Sequence, residues 1–213
     1  MGRNGQRRPS RPRPLTLRLL NALARAHTFL EAIFMKTRGF EIVSKYQDDN
    51  LTLPTRQTKQ AAGYDFYARE DFLLRSIWRY DFIRLFRLIK NEHPLTNKDF
   101  ERAKKILKPY LVPTGIKAYM QPNEVLILAN RSSSPLKHGL TLPNGIGVID
   151  ADYYNNPANE GEIYIQLLNF FPRDVMIKKG DRIGQGIFMP FLLADGDQGG
   201  LAQRQSGFGS TDH

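Results

Sequence analysis

Short apolar runs separated by turn residues make up most of the chain after Met35. The runs are rich in valine, isoleucine, tyrosine and phenylalanine, and proline, glycine and asparagine lie between them. Short strands with turn signals between them are typical of an all-β sandwich or barrel and not of a parallel α/β sheet. The predicted strands are residues 39–44, 115–120, 124–129, 162–170, 175–178 and 187–191.

One stretch departs from this pattern. Residues 71–90 carry apolar side chains at helical spacing, with arginines off the apolar stripe. A proline then interrupts the pattern, and Thr96 with Asp99 forms a capping-box-like start for a second helix that ends near Lys108. We therefore predict a two-helix insertion at about residues 69–110. Packing against the sandwich or a neighbouring subunit is the favoured explanation, and a membrane-surface or calmodulin-target-like basic helix is the weaker one.

Residues 1–34 form a basic extension that contains seven arginines, no lysine and one acid, Glu31. The first part lacks an apolar face and the second part is apolar, so we predict a disordered or partly helical segment. Three origins stay open for it. It is an extension or upstream translation ahead of a second start at Met35, a transit or membrane-surface segment, or a nucleic-acid-binding arm.

The composition of the chain excludes several classes of protein. Of 213 residues, 41% are hydrophobic, which is enough for a core and argues against wholesale disorder. The absence of cysteine excludes a disulfide scaffold, a thiolate metal site and a cysteine nucleophile. No apolar run reaches the roughly 18 residues of a membrane span, so we expect a soluble protein. The net charge of +10, taken alone, suggests an anionic partner such as nucleic acid, a membrane or a phosphorylated substrate.

Five polar stretches, four of which contain glycine, have compositions that a core does not require. They are residues 62–65, 131–133, 144–153, 180–185 and 204–211. The last contains arginine, serine and threonine, which bind phosphate, and a phenylalanine between two glycines, which suits contact with a base. Each stretch alone also has a simpler explanation, such as a frayed tail or a turn with a surface ion pair.

Two acids in the third stretch, Asp150 and Asp152, are predicted to share one face of an extended segment. A carboxylate there could activate a water molecule as a general base, or it could hold a hydrated Mg²⁺. Two solvated acids ahead of a turn are the simpler explanation of this pair.

Taken together and in this order, the five stretches resemble the motifs of the trimeric dUTP diphosphatase (dUTPase) family. They read AGYDFYA from Ala62, RSS from Arg131, NGIGVIDADY from Asn144, GDRIGQ from Gly180 and RQSGFGST from Arg204. The resemblance covers residues 38–68 and 111–213. The chain departs from the family pattern in the predicted insertion, in an additional stretch at residues 154–160, and at Asp212, where glycine is usual.

The resemblance implies a mainly β subunit of the jelly-roll or distorted-barrel type, which forms a homotrimer with shared active sites. Residues 35–213 would be the enzyme domain, with the helical insertion at about 69–110 and a closing flap at about 200–213. The implied reaction is Mg²⁺-dependent hydrolysis of dUTP to dUMP and pyrophosphate. The implied location is the cytoplasm of a bacterium or a phage-infected cell, and organelle targeting by residues 1–34 is not favoured.

The resemblance also assigns roles to individual residues. Asp150 matches the general base, Gln185 helps to hold the attacking water, and Asp65 reaches the waters of a metal ion that the substrate phosphates mainly hold. Arg182 is expected to be structural and to pair with a nearby acid. The implied substrate-binding residues are Arg131, Ser132, Ser133, Asn144, Gly147, Tyr153, Arg204, Phe208, Gly209, Ser210 and Thr211.

Two alternatives remain at this point. One is a dCTP deaminase of the same fold, and the other is a non-catalytic regulatory or binding homologue that acts through the helical insertion. The charge distribution narrows the choice of partner, because residues 1–34 carry +6, residues 69–110 carry +5 and the rest of the chain carries −1. The basic excess therefore lies outside the segments that resemble an enzyme, and no nucleic acid is required as a partner.

Overall fold

Short antiparallel strands form the framework of the chain in the computed structural model, which describes residues 36–79, 90 and 96–200. The strands are β1 (Gly39–Ile42), β2 (Tyr64–Tyr67), β3 (Phe72–Leu74), β4 (Tyr110–Pro113), β5 (Ile116–Tyr119), β6 (Glu124–Ala129), β7 (Leu140–Thr141), β8 (Gly147–Asp150), β9 (Tyr164–Asn169), β10 (Val175–Ile177) and β11 (Arg182–Pro190). The helices are α1 (Asn97–Leu107) and α2 (Ser133–His138), with short 3-10 turns at Ser44–Tyr46, Ile77–Arg79 and Ala151–Tyr153.

The strands assemble into a four-stranded sheet in the order β2-β11-β6-β8, a three-stranded sheet in the order β4-β9-β7, and the pairs β1-β5 and β3-β10. Inward side chains alternate along the strands, as Leu126 and Leu128 do on β6 and Ile165 and Leu167 do on β9. These side chains belong to one buried cluster, so the core lies between the sheets. The mainly β prediction is confirmed, although the sheets remain separate and do not close into one barrel within the described residues.

Several strand predictions agree with the structure, and the largest difference is at β11. The predicted strand at 124–129 matches β6, whereas β11 begins at Arg182 and not at residue 187. Its first half contains Gly184 and Gly186, which hide the apolar alternation. A Cβ at Gly186 would lie 2.7 Å from the ring of Phe66, so this glycine allows β11 and β2 to pack closely. The stretch 180–185 is therefore partly strand, and not a turn alone.

The prediction of a helix at residues 71–90 is wrong for residues 71–79, whereas Lys90 is helical as predicted. Phe72–Leu74 is strand β3, which pairs with β10, and Ile77–Arg79 is a 3-10 turn. Leu74 is fully buried and Leu73 is 40% exposed, an alternation that suits a strand. Residues 80–89 and 91–95 lie outside the described residues. The second predicted helix is confirmed as α1.

Helix α2 was not predicted from the sequence. Proline lies in its first turn, where a missing N–H has no consequence, and the helix ends at Gly139 in the left-handed region with φ 60°. None of the helices in the described part of the chain is long and apolar enough to cross a membrane.

The additional stretch at 154–160 forms a loop that a buried lysine anchors. Lys117 on β5 donates from Nζ to Oδ1 of Asn155 at 2.7 Å and to Oε2 of Glu160 at 3.1 Å. The backbone N–H and hydroxyl of Ser44 donate to the same Glu160 oxygen. These donors stabilise the carboxylate and lower the pKa of Glu160 from 4.5 to about 2, with the Ser44 hydroxyl as the largest cause.

The anchoring of Glu160 predicts a loss of stability in acid. Because its pKa is lower in the folded chain, Glu160 adds stability above its ordinary pKa of 4.5, and this stability disappears as the pH falls toward about 2. Urea unfolding of the wild type and of Glu160→Gln across this range should give midpoints that converge in acid and separate above pH 4.5. A constant difference between the two midpoints at every pH would contradict the prediction.

Candidate active site

Three of the five motifs meet at the buried carboxylate of Asp65 on β2. Nε of Arg131 donates to Oδ1 of Asp65 at 3.0 Å, and Nη1 of Arg182 donates to Oδ2 at 3.3 Å. Asp65 is 6% exposed, so its charge requires these partners. The pairing follows from the central position of β11, which lies between β2 and β6. We call Asp65, Arg131, Arg182 and Gln185 the Asp65 cluster.

Gln185 lies opposite Asp65 in the register of β11 and β2. Its Nε2 donates to the backbone carbonyl of Asn130 at 2.8 Å. A Cβ at Gly63 would lie 2.3 Å from Oε1 of Gln185, so the glycine of the first motif leaves the space that this amide occupies. The sequence analysis did not identify Asn130. The only signal in the sequence is that Asn130 is polar and directly precedes the motif that begins at Arg131.

The second motif forms the start of helix α2. Ser132 is the N-cap residue, its side chain makes no capping hydrogen bond, and Ser134 N–H donates to the Arg131 carbonyl at 3.0 Å. Serine hydroxyls beside a guanidinium at a helix start favour an anionic ligand. Ser132 and Ser133 therefore lie next to the Asp65 cluster with a chemistry that suits a phosphate.

Asp150 is the last residue of β8 and lines a cavity. Asp150, Ala151 and Asp152 line a cavity of 520 Å³ together with Met120, Pro122 and Phe191. Asp152 belongs to the 3-10 turn, so the expectation that the two acids share a face of one extended segment is wrong. The backbone turns directly after Asp150, and both acidic residues line the cavity from this bend.

The strand β8 has one unpaired edge within the described residues. It pairs with β6 on one side, whereas β7 pairs with β9 in another sheet. The segment that contains Asn144 is therefore a connection between two sheets, and it leads into Gly147, the first residue of β8. Asn144 is exposed in the turn, and Gly147 lies against Leu128, where a Cβ would be 3.1 Å from the leucine Cβ.

Tyr153 is almost completely enclosed by its own chain, with 5% of its surface exposed. Its hydroxyl donates to the carbonyl of Glu162 at 2.8 Å and accepts a hydrogen bond from Nδ2 of Asn159 at 2.9 Å. The residues of the fifth motif, Arg204, Phe208, Gly209, Ser210 and Thr211, lie outside the described residues.

Asp150 and Gln185 do not meet within one chain. On β6, Asp150 lies opposite Val125 and Gln185 lies opposite Ala129, at the two ends of the strand. Four residues of a strand span about 13 Å, and β6 itself separates the two partners. Two hydrogen bonds to one water span about 5.5 Å. Because the Gln185 amide points to Asn130, away from Asp150, one water molecule cannot contact both groups in the same chain.

Comparison with known proteins gives one consistent result. A family model described as dUTPase matches residues 99–211, just over half of the chain. The deoxyuridine 5'-triphosphate nucleotidohydrolase of Lactococcus lactis is 44% identical over 178 residues, which covers 83% of this chain and 99% of the relative. The enzyme of the same name from Debaryomyces hansenii is 32% identical over 171 residues, with coverage of 78% and 83%.

Solved structures agree with the sequence comparison. The crystal structure of dUTPase from Streptococcus mutans superimposes with a TM-score of 0.57 at 44% identity, and the match covers 74% of this chain and 99% of that one. The dUTPase from phage phi11 of S. aureus gives a TM-score of 0.52 at 17% identity, with coverage of 76% and 96%, and supports the fold alone. By family model, sequence identity and structure, the chain belongs to the dUTPase family.

Proposed function

We propose that this dUTPase hydrolyses dUTP to dUMP and pyrophosphate in sites that two or more subunits share. The observation that carries the proposal is the separation of the Asp65 cluster from Asp150 along β6. A phosphate-binding half and a water-activating half that lie at opposite ends of one strand complete each other only when a second copy contributes one of them. A homotrimer, which is the assembly that the resemblance implies, satisfies this requirement.

In the proposed mechanism, the phosphates bind between Arg131 and the hydroxyls of Ser132 and Ser133. The carboxylate of Asp150 from a neighbouring subunit takes a proton from a water molecule, whose oxygen attacks the α-phosphorus. The bond between the α-phosphorus and the bridging oxygen breaks, and pyrophosphate leaves with that oxygen. Gln185 orients the water. Positioning and charge neutralisation supply most of the rate in reactions of this kind.

Asp65 binds two arginines, Arg131 and Arg182. Its hydrogen bond with Arg131 holds that side chain in place before substrate binds. Arg182 donates to Oδ2 of Asp65 while Arg131 donates to Oδ1. One carboxylate between two guanidinium groups leaves a net positive charge beside the site of the phosphates. The cluster is thus prepared for an anion, and its side chains need little reorganisation when the triphosphate arrives.

The unpaired edge of β8 is the proposed uracil-binding element. Along β8, the edge with which no strand pairs in the described part of the chain provides backbone N–H and C=O groups that can pair with the N3–H and the carbonyls of uracil. The amino group of cytosine would meet a donor, and the unpaired buried groups that result are a strong ground for rejection. Gly147 allows β8 to pack closely against β6, because a Cβ there would lie 3.1 Å from the Cβ of Leu128.

Magnesium fits the proposed site as an ion held mainly by the substrate. Among the described residues, no three His, Cys, Asp or Glu side chains are close enough to hold a metal ion. Mg²⁺ typically retains several waters and binds substrate phosphates with one or two carboxylates. Each oxygen of Asp65 accepts a hydrogen bond from one arginine, and the same carboxylate could also accept hydrogen bonds from those waters. When bound, the ion neutralises phosphate charge, and the residues named above orient the nucleotide and the water.

We further propose that residues 204–211 close over the bound nucleotide. Arg204, Ser210 and Thr211 would contact phosphates, the backbone at Gly209 would approach them closely, and Phe208 would cover the base. This closure would exclude bulk water from the site.

A direct test measures pyrophosphate and nucleoside products from dUTP, dCTP, dTTP and UTP in the presence of Mg²⁺. We expect pyrophosphate and dUMP from dUTP and little product from the other three nucleotides. Release of ammonia with deoxyuridine nucleotides from dCTP would instead identify a deaminase. Binding of dUTP without any product would identify a non-catalytic homologue.

Replacement of Gly63 with alanine should lower kcat about tenfold with little change in Tm. The new Cβ would lie 2.3 Å from Oε1 of Gln185, so the amide must rotate away from Asn130 and lose its orientation toward the water. Steady-state kinetics and thermal unfolding measure the two effects. On a Gln185→Ala background, Gly63→Ala should add almost nothing. A full additional tenfold loss on that background would contradict the explanation.

A further inference from the structure

Asn130 makes hydrogen bonds toward both regions of the candidate site. It directly follows β6 and directly precedes Arg131. Its Nδ2 donates to Oγ1 of Thr141 at 3.1 Å, and its Oδ1 accepts a hydrogen bond from the N–H of Leu142 at 3.2 Å. Because a backbone N–H can only donate, the oxygen of the amide must face Leu142, and the orientation of the side chain is fixed. The side chain thus joins the end of β6 to β7, a strand of the three-stranded sheet.

Leu142 begins the turn that leads to β8. Its carbonyl accepts a hydrogen bond from the N–H of Gly145 at 3.1 Å, and its side chain is buried in the core cluster. Gly145 has φ +72°, a conformation that glycine adopts without strain. β8 starts two residues later at Gly147 and ends at Asp150, which lines the 520 Å³ cavity. The hydrogen bond between Asn130 and Leu142 therefore fixes the backbone from which β8 continues.

The backbone carbonyl of Asn130 makes a different contact. It accepts the hydrogen bond from Nε2 of Gln185 at 2.8 Å and so holds the amide that is proposed to orient the water. This hydrogen bond depends on the position of the backbone and not on the side chain of Asn130. A substitution of Asn130 can therefore remove the bonds to Thr141 and Leu142 and still leave the acceptor for Gln185 in place.

We propose that Asn130 is a positioning residue for two different sites of the assembly, an inference that rests on the proposed function. In the shared sites, β8 and Asp150 of one chain face Arg131 and Gln185 of another. Within one chain, the side chain of Asn130 positions the turn before β8, which this chain contributes to one site. The carbonyl of the same residue positions Gln185, which the chain contributes to a different site. Loss of the side chain leaves the N–H of Leu142 without its partner and loosens only the first of these sites.

The first experiment measures kcat and KM for dUTP in Asn130→Ala, Thr141→Val and the double variant. We expect Asn130→Ala to raise KM about tenfold with kcat close to that of wild type, because the base-binding end loses its support and Gln185 keeps its acceptor. Thr141→Val removes only the acceptor of Nδ2 and should raise KM less. On the Asn130→Ala background it should add almost nothing. Asn97→Ala, at an exposed position of α1, is the control and should leave both constants unchanged.

The hydroxyl of Thr141 has a conservative replacement that tests its part in the network. Thr141→Ser retains the acceptor for Nδ2 of Asn130, so its KM should lie closer to the wild-type value than that of Thr141→Val. General damage to the fold would lower kcat in Asn130→Ala together with the melting temperature. An unchanged KM in Asn130→Ala, or a fall in kcat at constant KM, would overturn the inference.

A second experiment assigns the side chain of Asn130 to one of the two sites. In mixed assemblies of Arg131→Ala chains and Asp150→Asn chains, an intact site takes β8 with Asp150 from the first chain and Arg131 with Gln185 from the second. Asn130→Ala added to the Arg131→Ala chain should raise KM about tenfold, as in the uniform variant. The same substitution in the Asp150→Asn chain should change KM little.

The placement of the substitution separates the possible outcomes. An equal rise in KM for both placements, or a rise only when the Asp150→Asn chain carries Asn130→Ala, would overturn the inference. An inactive mixture of the two parent variants would overturn it together with the shared sites. Wild-type protein that releases no pyrophosphate from dUTP would instead overturn the proposed function, so the failures are distinguishable.

Discussion

Replacement of Asp150 with asparagine is expected to lower kcat for dUTP about a thousandfold, because general-base catalysis typically contributes rate factors of this size. The amide keeps the shape of the side chain and cannot accept a proton from water at neutral pH. Asp150 ends β8 beside the 520 Å³ cavity, and its backbone is held by the pairing with Val125. The dissociation constant for dUTP should therefore change little. Single-turnover kinetics with labelled dUTP measure the chemical step, and calorimetry measures binding.

Asp152 provides the comparison for this experiment. It lines the same cavity two residues further along, but it lies on the 3-10 turn and not at the end of the strand. Asp152→Asn should reduce kcat much less than Asp150→Asn. If the two losses were reversed, the base would be Asp152. If Asp150→Asn retained a near-normal rate, the proposed mechanism would be wrong.

Mixing two inactive variants is expected to restore activity. Asp150→Asn removes the base, and Arg131→Ala removes the main phosphate contact. If each site takes Asp150 from one chain and Arg131 from the next, every trimer that contains both variants has one intact site out of three, so the mixed assemblies should show about one third of the wild-type rate. Co-expression with two different tags, followed by tandem purification, gives the mixed assemblies whose dUTP turnover is measured.

The same mixture separates shared from single-chain sites. A site built within one chain would lack either the base or the arginine in every position, so the mixed assemblies would be as inactive as their parents. Asp150→Asn with Asp150→Asn/Arg131→Ala is the matched control, because no arrangement of these chains contains an intact base. Activity in this control would contradict the assignment of Asp150 as the base, and an inactive mixture of the two single variants would exclude the shared-site explanation.

Much of the fold could be predicted from local patterns, where one face of a strand is buried. The runs that became β6 and β9 are rich in apolar and β-branched residues between turn signals, and the sequence predicts them with little error. The first half of β11 was missed because Gly184 and Gly186 carry no side chain to register in such a pattern. The spacing of the apolar residues at 72–79 fits the period of a helix as well as that of a strand, and the sequence analysis predicts a helix. The pairing with β10 makes Phe72–Leu74 a strand.

The residues of the candidate site could be named from the ordered motifs, but their spatial relation could not. The order of the motifs does not indicate that Asp150 on β8 and Gln185 on β11 pair with opposite ends of β6. This depends on the register of two long-range strand pairs. The contact of Gly63 with Gln185 likewise joins residues far apart in the sequence. The sequence gives the chemistry of each side chain, whereas the packing of the fold determines which other groups that side chain contacts.

The unpaired edge of β8 has a consequence for the behaviour of the protein in storage and during assembly. An exposed strand edge is a template for pairing with another chain, and proteins usually protect such edges with charges or proline. The apolar side chains Ile146 and Val148, at or near this edge, are more than half exposed. Backbone groups that form hydrogen bonds with a base must remain accessible, so this edge cannot be protected by charged residues or proline. Nucleotide or a neighbouring subunit would then act as its cover, and isolated, ligand-free subunits would be the species most prone to aggregate.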